Sequence, residues 1–266
     1  MNICYCGNEK IYRGAFLSAF SLAKNTEEAV HVFLLTADLE DVNPSYSPIS
    51  ETHRKRIEEG IKRFNTSNDV TLIDATKIFK EEFLEDNKNS SSMYTPFAYL
   101  RLLMDLIPEI PDRILYLDAD TLVLKDISNF YNINLEGKDM ALVHDVNRES
   151  NYGNTGVILF DIGKIRKDNS FIKCRKYLKT HKLLMPDQDT INHVYKHNKT
   201  RMFVSRVYNE QRKMRKETAI RHYCQSIRLW PYFHIVKTKP WEWEEFKRKY
   251  PEDSKLSVFD EFNELD

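Results

Sequence analysis

No apolar run in the 266-residue sequence approaches the ~20 residues that a membrane helix needs. Charge of one sign is also lacking. The 40 Lys and Arg residues balance 40 Asp and Glu residues, so nothing draws the chain to nucleic acid, and membrane contact is at most peripheral. Cysteine is scarce and unpatterned: Cys4, Cys6, Cys174 and Cys224 do not form a disulfide framework. They read as reduced structural thiols in a cytoplasmic protein. The N-terminal Met1-Asn2-Ile3-Cys4-Tyr5-Cys6 lacks the basic region of an export signal and reads as a short strand. Internal repeats are missing. So is a Gly-x-Gly-x-x-Gly after that strand, which argues against a nicotinamide-linked dehydrogenase.

What is there is an alternation of periods. Apolar strand-like runs occur at Ile3–Cys6, Val30–Leu35, Val70–Ile73, Ile114–Leu117, Met140–Val143 and Val157–Phe160. Between them lie helical patterns over Tyr12–Lys24, with Phe16, Ala19 and Leu22 on one face, over Ser50–Phe64, and over Thr95–Leu106, stopped by Pro108. Such alternation predicts an α/β fold with a mostly parallel sheet flanked by helices. Asn87–Ser92 reads as a mobile loop, and Lys199–Arg228 as a basic stretch, most simply a solvated surface. No linker interrupts the chain, so a single domain over residues 1–241 is expected. Residues 242–266 would form an acidic tail packed on it or extending from it.

The most informative segment is Ile114-Leu115-Tyr116-Leu117-Asp118-Ala119-Asp120-Thr121. Carboxylates two apart at the end of an extended run point the same way. Paired oxygen donors at the carboxyl end of a parallel strand suit a hard divalent cation and a ligand bound there. A pair of solvated turn residues would show the same spacing. The segment also resembles the nucleophile motif of haloacid-dehalogenase-type phosphatases, with Asp118 as the phosphorylated residue. In that group, however, the motif opens its domain.

Further motifs in order produce a broader resemblance. These are Gly7-Asn8-Glu9-Lys10-Ile11-Tyr12, Tyr99-Leu100-Arg101-Leu102, Asp118-Ala119-Asp120, His144-Asp145, Asn154-Thr155-Gly156-Val157, Pro186-Asp187-Gln188-Asp189, Tyr208-Asn209 and His234-Ile235-Val236-Lys237-Thr238-Lys239-Pro240-Trp241. Together they resemble the family 8 retaining glycosyltransferases, which include glycogenin and bacterial lipopolysaccharide galactosyltransferases. The likeness runs from about Ile3 to Trp241.

The resemblance implies a GT-A-type, Rossmann-like nucleotide-sugar-binding domain. Its substrates would be a UDP-sugar donor, glucose or galactose, and a glycan, lipid-linked or protein acceptor. It implies Mn²⁺, or Mg²⁺, held by Asp118, Asp120 and His234. Asn8, Glu9, Tyr12, Arg101, Asp118, Ala119 and Lys239 would bind the donor. Asp145, Asn154, Asp187 and Gln188 would meet the sugar and the reacting carbon, and Tyr208-Asn209 would shape the acceptor side. By their chemistry alone, Asp187 and Asp189 would also suit the first turn of a helix. Three departures stand out. Ile11 occupies the position where a base-stacking Tyr is expected. His234 is one residue closer to Lys-Pro-Trp than usual, and the usual Gly between them is missing.

The implied chemistry cleaves the bond between the anomeric carbon and UDP, with charge growing on the diphosphate. No carboxylate nucleophile is obvious beside Gln188, and an amide is a poor one, so front-face attack by the acceptor hydroxyl is the expected route. A non-catalytic sugar-nucleotide-binding relative is the remaining alternative.

Overall fold

The computed structural model describes residues 1–89, 95–148, 151–196, 200–228 and 234–265, the side chains of 226–228 and 234–236 excepted. The chain begins with β1 (Asn2–Cys6), α1 (Tyr12–Lys24), β2 (His31–Thr36), α2 (Glu51–Lys62), β3 (Asp69–Asp74) and α3 (Thr76–Phe83). After a 3₁₀ helix at Pro96–Leu106 come β4 (Arg113–Leu117), β5 (Thr121–Val123), α4 (Ser128–Tyr131), β6 (Met140–His144) and β7 (Gly153–Asp161). Next are α5 (Ile162–Asp168), α6 (Ser170–Thr180), α7 (Pro186–Val194), β8 (Arg201–Phe203) and β9 (Ile220–His222). The chain ends with β10 (Ser226–Arg228), β11 (His234–Val236), α8 (Trp243–Lys249) and α9 (Ser257–Asn263).

Seven strands form the main sheet in the order β3-β2-β1-β4-β7-β6-β8. The pairs from β3 to β4 are parallel, and so is β6 with β8, whereas β7 runs antiparallel to both of its neighbours. The mostly parallel α/β sheet expected from the alternation is present. Side-chain alternation feeds a core on each face. Ile3, Tyr5, Leu115 and Leu117 pack on the side of α1 and α2. Cys4, Cys6, Ile114 and Tyr116 pack on the side of the 3₁₀ helix, α5 and α6.

Local chemistry sets the boundaries. Ser50 caps α2 by accepting from the His53 N–H at 3.2 Å, and Ile57 and Ile61 are the apolar residues that this charged helix buries. The segment read as a helix at Thr95–Leu106 is wound as 3₁₀, with Pro96 in its first turn. It ends at Ile107, held extended (φ −104°, ψ 109°) by the following Pro108.

Two expectations change. Of the stretch Asn87–Ser92, Ser90–Ser92 lie outside the described residues, but Asn89 is a buried tether. It donates to the carbonyls of Leu178 and His181 at 2.6 and 2.8 Å and accepts from the Leu183 N–H at 2.9 Å. The basic stretch is not simply solvated. Arg201 and Arg221 are fully buried, and Arg206 and Arg215 both pair with Glu210. Lys199 and the Arg228 side chain lie outside the described residues.

At the C-terminus, Phe262 of α9 packs edge-on against Phe16 and Phe20 of α1, with Phe246 of α8 buried nearby. Among the described residues no helix is long and apolar enough to cross a membrane.

Candidate active site

The chain goes from β1 out to β2 and β3, then returns to place β4 on the other side of β1. This reversal opens a crevice at the strands' carboxyl ends, where open α/β sheets bind ligands. Because β7 is antiparallel to β4, its first residues, Asn154 to Gly156, arrive at the same rim as Asp118. The Asp118 N–H donates to the Gly156 carbonyl at 2.8 Å. A cavity of about 760 Å³ lies over this rim.

Each carboxylate of the pair commits one oxygen to a protein cation and turns the other inward. Asp118 Oδ1 accepts from Arg101 Nη2 at 3.0 Å and from the Tyr116 hydroxyl at 2.6 Å. Asp120 Oδ2 holds the Lys239 ammonium. The inward oxygens face His222, which ends β9. That short strand pairs antiparallel with β5 and sets Thr121 opposite His222. His222 Nε2 lies 3.2 Å from Asp120 Oδ1 and 3.6 Å from Asp118 Oδ2.

Asp120 is 7% exposed and His222 1% exposed. Among the described residues neither Asp120 Oδ1 nor His222 Nε2 finds a hydrogen-bond partner. Buried polar atoms without partners are costly. Two carboxylates and an imidazole, with ligand atoms within 4.8 Å of one another, fit a divalent cation of the Mn²⁺ or Mg²⁺ type. Burial raises the Asp120 carboxyl, but the Lys239 ammonium and His222 outweigh it and hold it well below the usual carboxylate range. Lys239 is pulled down by burial and raised on balance by Asp120.

A second cluster adjoins the first. Arg101, buried and stacked 4.0 Å over the Tyr116 ring, reaches Asp118 on one side and Asp187 Oδ2 at 3.5 Å on the other. Burial raises the Asp187 carboxyl, Arg101 opposes the shift and Asp118 adds to it. Asp187 and Asp189 do occupy the first turn of a helix, α7, with Gln188 between them. Gln188 Oε1 accepts from the Thr155 N–H at 3.0 Å, and its Nε2 donates to Asp145 Oδ2 at 3.2 Å. Asn154 Nδ2 donates to that same oxygen at 3.4 Å. The Asn154-Thr155-Gly156-Val157 segment lies near the start of strand β7, whose pairing with β6 shifts register between Leu142 and Val143.

A sequence profile of Glycosyl transferase family 8 matches residues 2–245. The chain belongs to glycosyl transferase family 8. General stress protein A of Bacillus subtilis (strain 168) is 25% identical over 288 residues, covering 91% of this chain and 94% of that protein. Lipopolysaccharide 1,3-galactosyltransferase of Salmonella typhimurium is 27% identical over 266 residues, covering 90% of this chain and 72% of that protein. Among solved structures, an active-site mutant of LgtC superposes with a TM-score of 0.69 at 18% identity, covering 100% of this chain and 95% of that chain. LgtC solved in complex with donor and acceptor sugar analogues gives a TM-score of 0.65 at 18% identity, with the same coverage. The fold is that of the GT-A glycosyltransferases. Family membership sets the phosphatase alternative aside.

Most residues singled out for this family 8 chain converge on one cavity: Asn8, Arg101, Asp118, Ala119, Asp120, Asp145, Asn154, Asp187, Gln188 and Lys239 all line it. Glu9 and Tyr12 are not in its lining. Glu9 pairs with the His53 ring at 2.8 Å, Tyr12 stacks on that ring at 3.8 Å, and Ile11 faces the cavity instead. Lys239 meets Asp120, whereas Lys237 is exposed. The backbone of His234 lies in β11, but its side chain lies outside the described residues. Sequence reasoning did not single out His222. The two departures at His234 were the available signal, and the next histidine upstream is His222. Two thiols, Cys6 and Cys224, also line the cavity. Burial pushes the Cys224 thiol up to about 12, with Asp120 and Asp145 adding to the shift.

Proposed function

We propose that this family 8 protein is a metal-dependent, retaining hexosyltransferase. It would move glucose or galactose from a UDP-sugar to a glycan, lipid-linked or protein acceptor. One observation carries the reading: Asp120 Oδ1 and His222 Nε2 are buried, face each other and lack hydrogen-bond partners among the described residues, in the same cavity as Lys239, Arg101 and Gln188. The Salmonella lipopolysaccharide 1,3-galactosyltransferase and the LgtC complex with donor and acceptor sugar analogues support a nucleotide-sugar donor and a carbohydrate acceptor.

Asp118 Oδ2, Asp120 Oδ1 and His222 Nε2 would hold Mn²⁺, or Mg²⁺, and such a cation neutralises charge on a departing diphosphate. The imidazole among the donors favours Mn²⁺. Lys239 and Arg101 add fixed positive charge on the same side of the cavity, where pyrophosphate oxygens would gain it. Asp187 and Asp145 would grip sugar hydroxyls, and Asn154 steadies Asp145. Gln188 is tied at both ends of its amide and cannot serve as a strong nucleophile. The acceptor hydroxyl therefore attacks the anomeric carbon on the face UDP leaves. The carbon–oxygen bond to UDP breaks, and the hydroxyl proton passes to the leaving phosphate oxygen, giving retention.

A donor screen tests this. UDP release is measured from UDP-glucose and UDP-galactose with Mn²⁺ and again with chelator. Mn²⁺-dependent release that Asp120→Asn abolishes is expected. Release that chelator leaves unchanged would overturn the metal role, and donor binding without turnover would point to a non-catalytic relative. A covalent glycosyl-enzyme trapped on Asp145 or Asp187 would refute front-face attack.

A further inference from the structure

We infer that Asn209 is the positioning residue of the site: its side-chain amide fixes which nitrogen of His222 carries the proton and ties the cation end of the cavity to the sugar end. The inference rests on the metal-dependent reading above. Asn209 was expected to shape the acceptor side, but it is 0% exposed and does not line the cavity. It acts only through what it bonds.

Those bonds can be assigned from one unambiguous donor. The Gly156 backbone N–H can only donate, and its partner, 3.0 Å away, is Asn154 Oδ1. That atom is therefore the carbonyl oxygen, which leaves the Asn154 NH₂ for Asp145 Oδ2. Asn209 meets the same Asn154 oxygen at 2.9 Å and must present its own NH₂ there. Its carbonyl Oδ1 is then the group facing His222 Nδ1 at 3.0 Å. A carbonyl only accepts, so Nδ1 carries the hydrogen, and in the neutral ring Nε2 holds the lone pair, aimed at Asp118 and Asp120. The relay thus runs from a backbone amide through two asparagines to the imidazole. A partner on the non-ligating nitrogen orients a metal-binding histidine and raises its basicity.

Three forms of the protein separate the functions of Asn209. Asn209→Leu removes both bonds. Asn209→Asp keeps an acceptor for His222 Nδ1 but sets a carboxylate oxygen against Asn154 Oδ1. Mn²⁺ affinity, read from the EPR signal of the free ion in the presence of UDP, is expected to fall about 10- to 100-fold in Asn209→Leu. It should be retained in Asn209→Asp, while the KM for the UDP-sugar rises in that variant. In unsubstituted protein, ¹⁵N NMR of His222, assigned with His222→Ala, is expected to give a pyrrole-type Nδ1 and a pyridine-type Nε2. Wild-type affinity in Asn209→Leu, or the opposite tautomer in the wild type, overturns the inference. If the wild type binds Mn²⁺ no better than Asp120→Ala does, the metal reading itself falls, and the NMR result still judges the tautomer.

Discussion

Gly156→Ala tests the site's geometry most directly. A Cβ at residue 156 would stand 2.2 Å from His222 Cε1 and 2.8 Å from Asp118 Oδ2. Ordinary carbon contacts lie near ~3.5–4.0 Å, so the ring must retreat by more than about 1 Å. It has little room to do so. His222 is buried, hydrogen-bonded to Asn209 at 3.0 Å and fixed in β9, while Asp118 is tied through Oδ1 to Tyr116 and Arg101. Metal-ligand distances tolerate only about ±0.2 Å, so strain that falls on two of the three proposed ligands should cost Mn²⁺ affinity at least ~10-fold. Overpacking costs about 1–3 kcal/mol, which lowers Tm by roughly 2–12 °C in a chain of this size. Gly137→Ala is the control. Its φ is +73°, and no described residue lies within 4 Å of the added carbon. Backbone strain there costs about 1–2 kcal/mol without reaching the site. Calorimetry and Mn²⁺ titration of both variants should show comparable destabilisation and a loss of affinity in Gly156→Ala alone. If Gly156→Ala binds Mn²⁺ like the wild type with an unchanged Tm, the reasoning about the ligand set is wrong.

Three further outcomes are expected. Lys239→Met removes the ammonium held on Asp120 and should lower kcat for UDP release on the order of 10²-fold, read in the Mn²⁺-dependent assay. Asp120 has a depressed carboxyl pKa in the folded chain, so its stabilising contribution is present above the unfolded value near ~3.9 and is lost as pH falls below it. Metal-free wild type should therefore lose Tm more steeply between about pH 4 and pH 3 than Asp120→Asn, and equal slopes would contradict the assignment. Arg166 Nη2 donates to the carbonyls of Ile107 and Ile110 at 2.7 and 2.8 Å, closing the loop after the 3₁₀ helix. Arg166→Ala should cost about 2–3 kcal/mol in urea unfolding and leave Mn²⁺ affinity unchanged.

How much of this was legible in the sequence depends on how local the cause is. Asp118 and Asp120 follow directly from an apolar strand that stops at two carboxylates, and the parallel sheet places that stop at the crevice. Arg101 was legible as a motif, but its simultaneous reach to Asp118 and Asp187 required the 3₁₀ helix to lie over β4. The strand Val157–Phe160 was visible, but its direction was not, because a period of two is the same read either way. Yet that direction brings Asn154 and Thr155 to Asp118 instead of to the opposite rim.

His222 is the instructive case. Nothing within ten residues of it marks it as part of the acidic cluster. Its position comes from β9 pairing with β5, a register that joins Thr121 to a residue about a hundred positions later. A histidine chosen by distance along the chain from Lys-Pro-Trp relies on a spacing that an insertion can change without moving the strand. A histidine chosen by its partners does not. It must have one nitrogen bonded and the other left bare toward oxygen donors. Among the described residues, the imidazole that meets the acidic pair in this way is that of His222. Its Asn209 bond is what keeps the bare nitrogen on the inside.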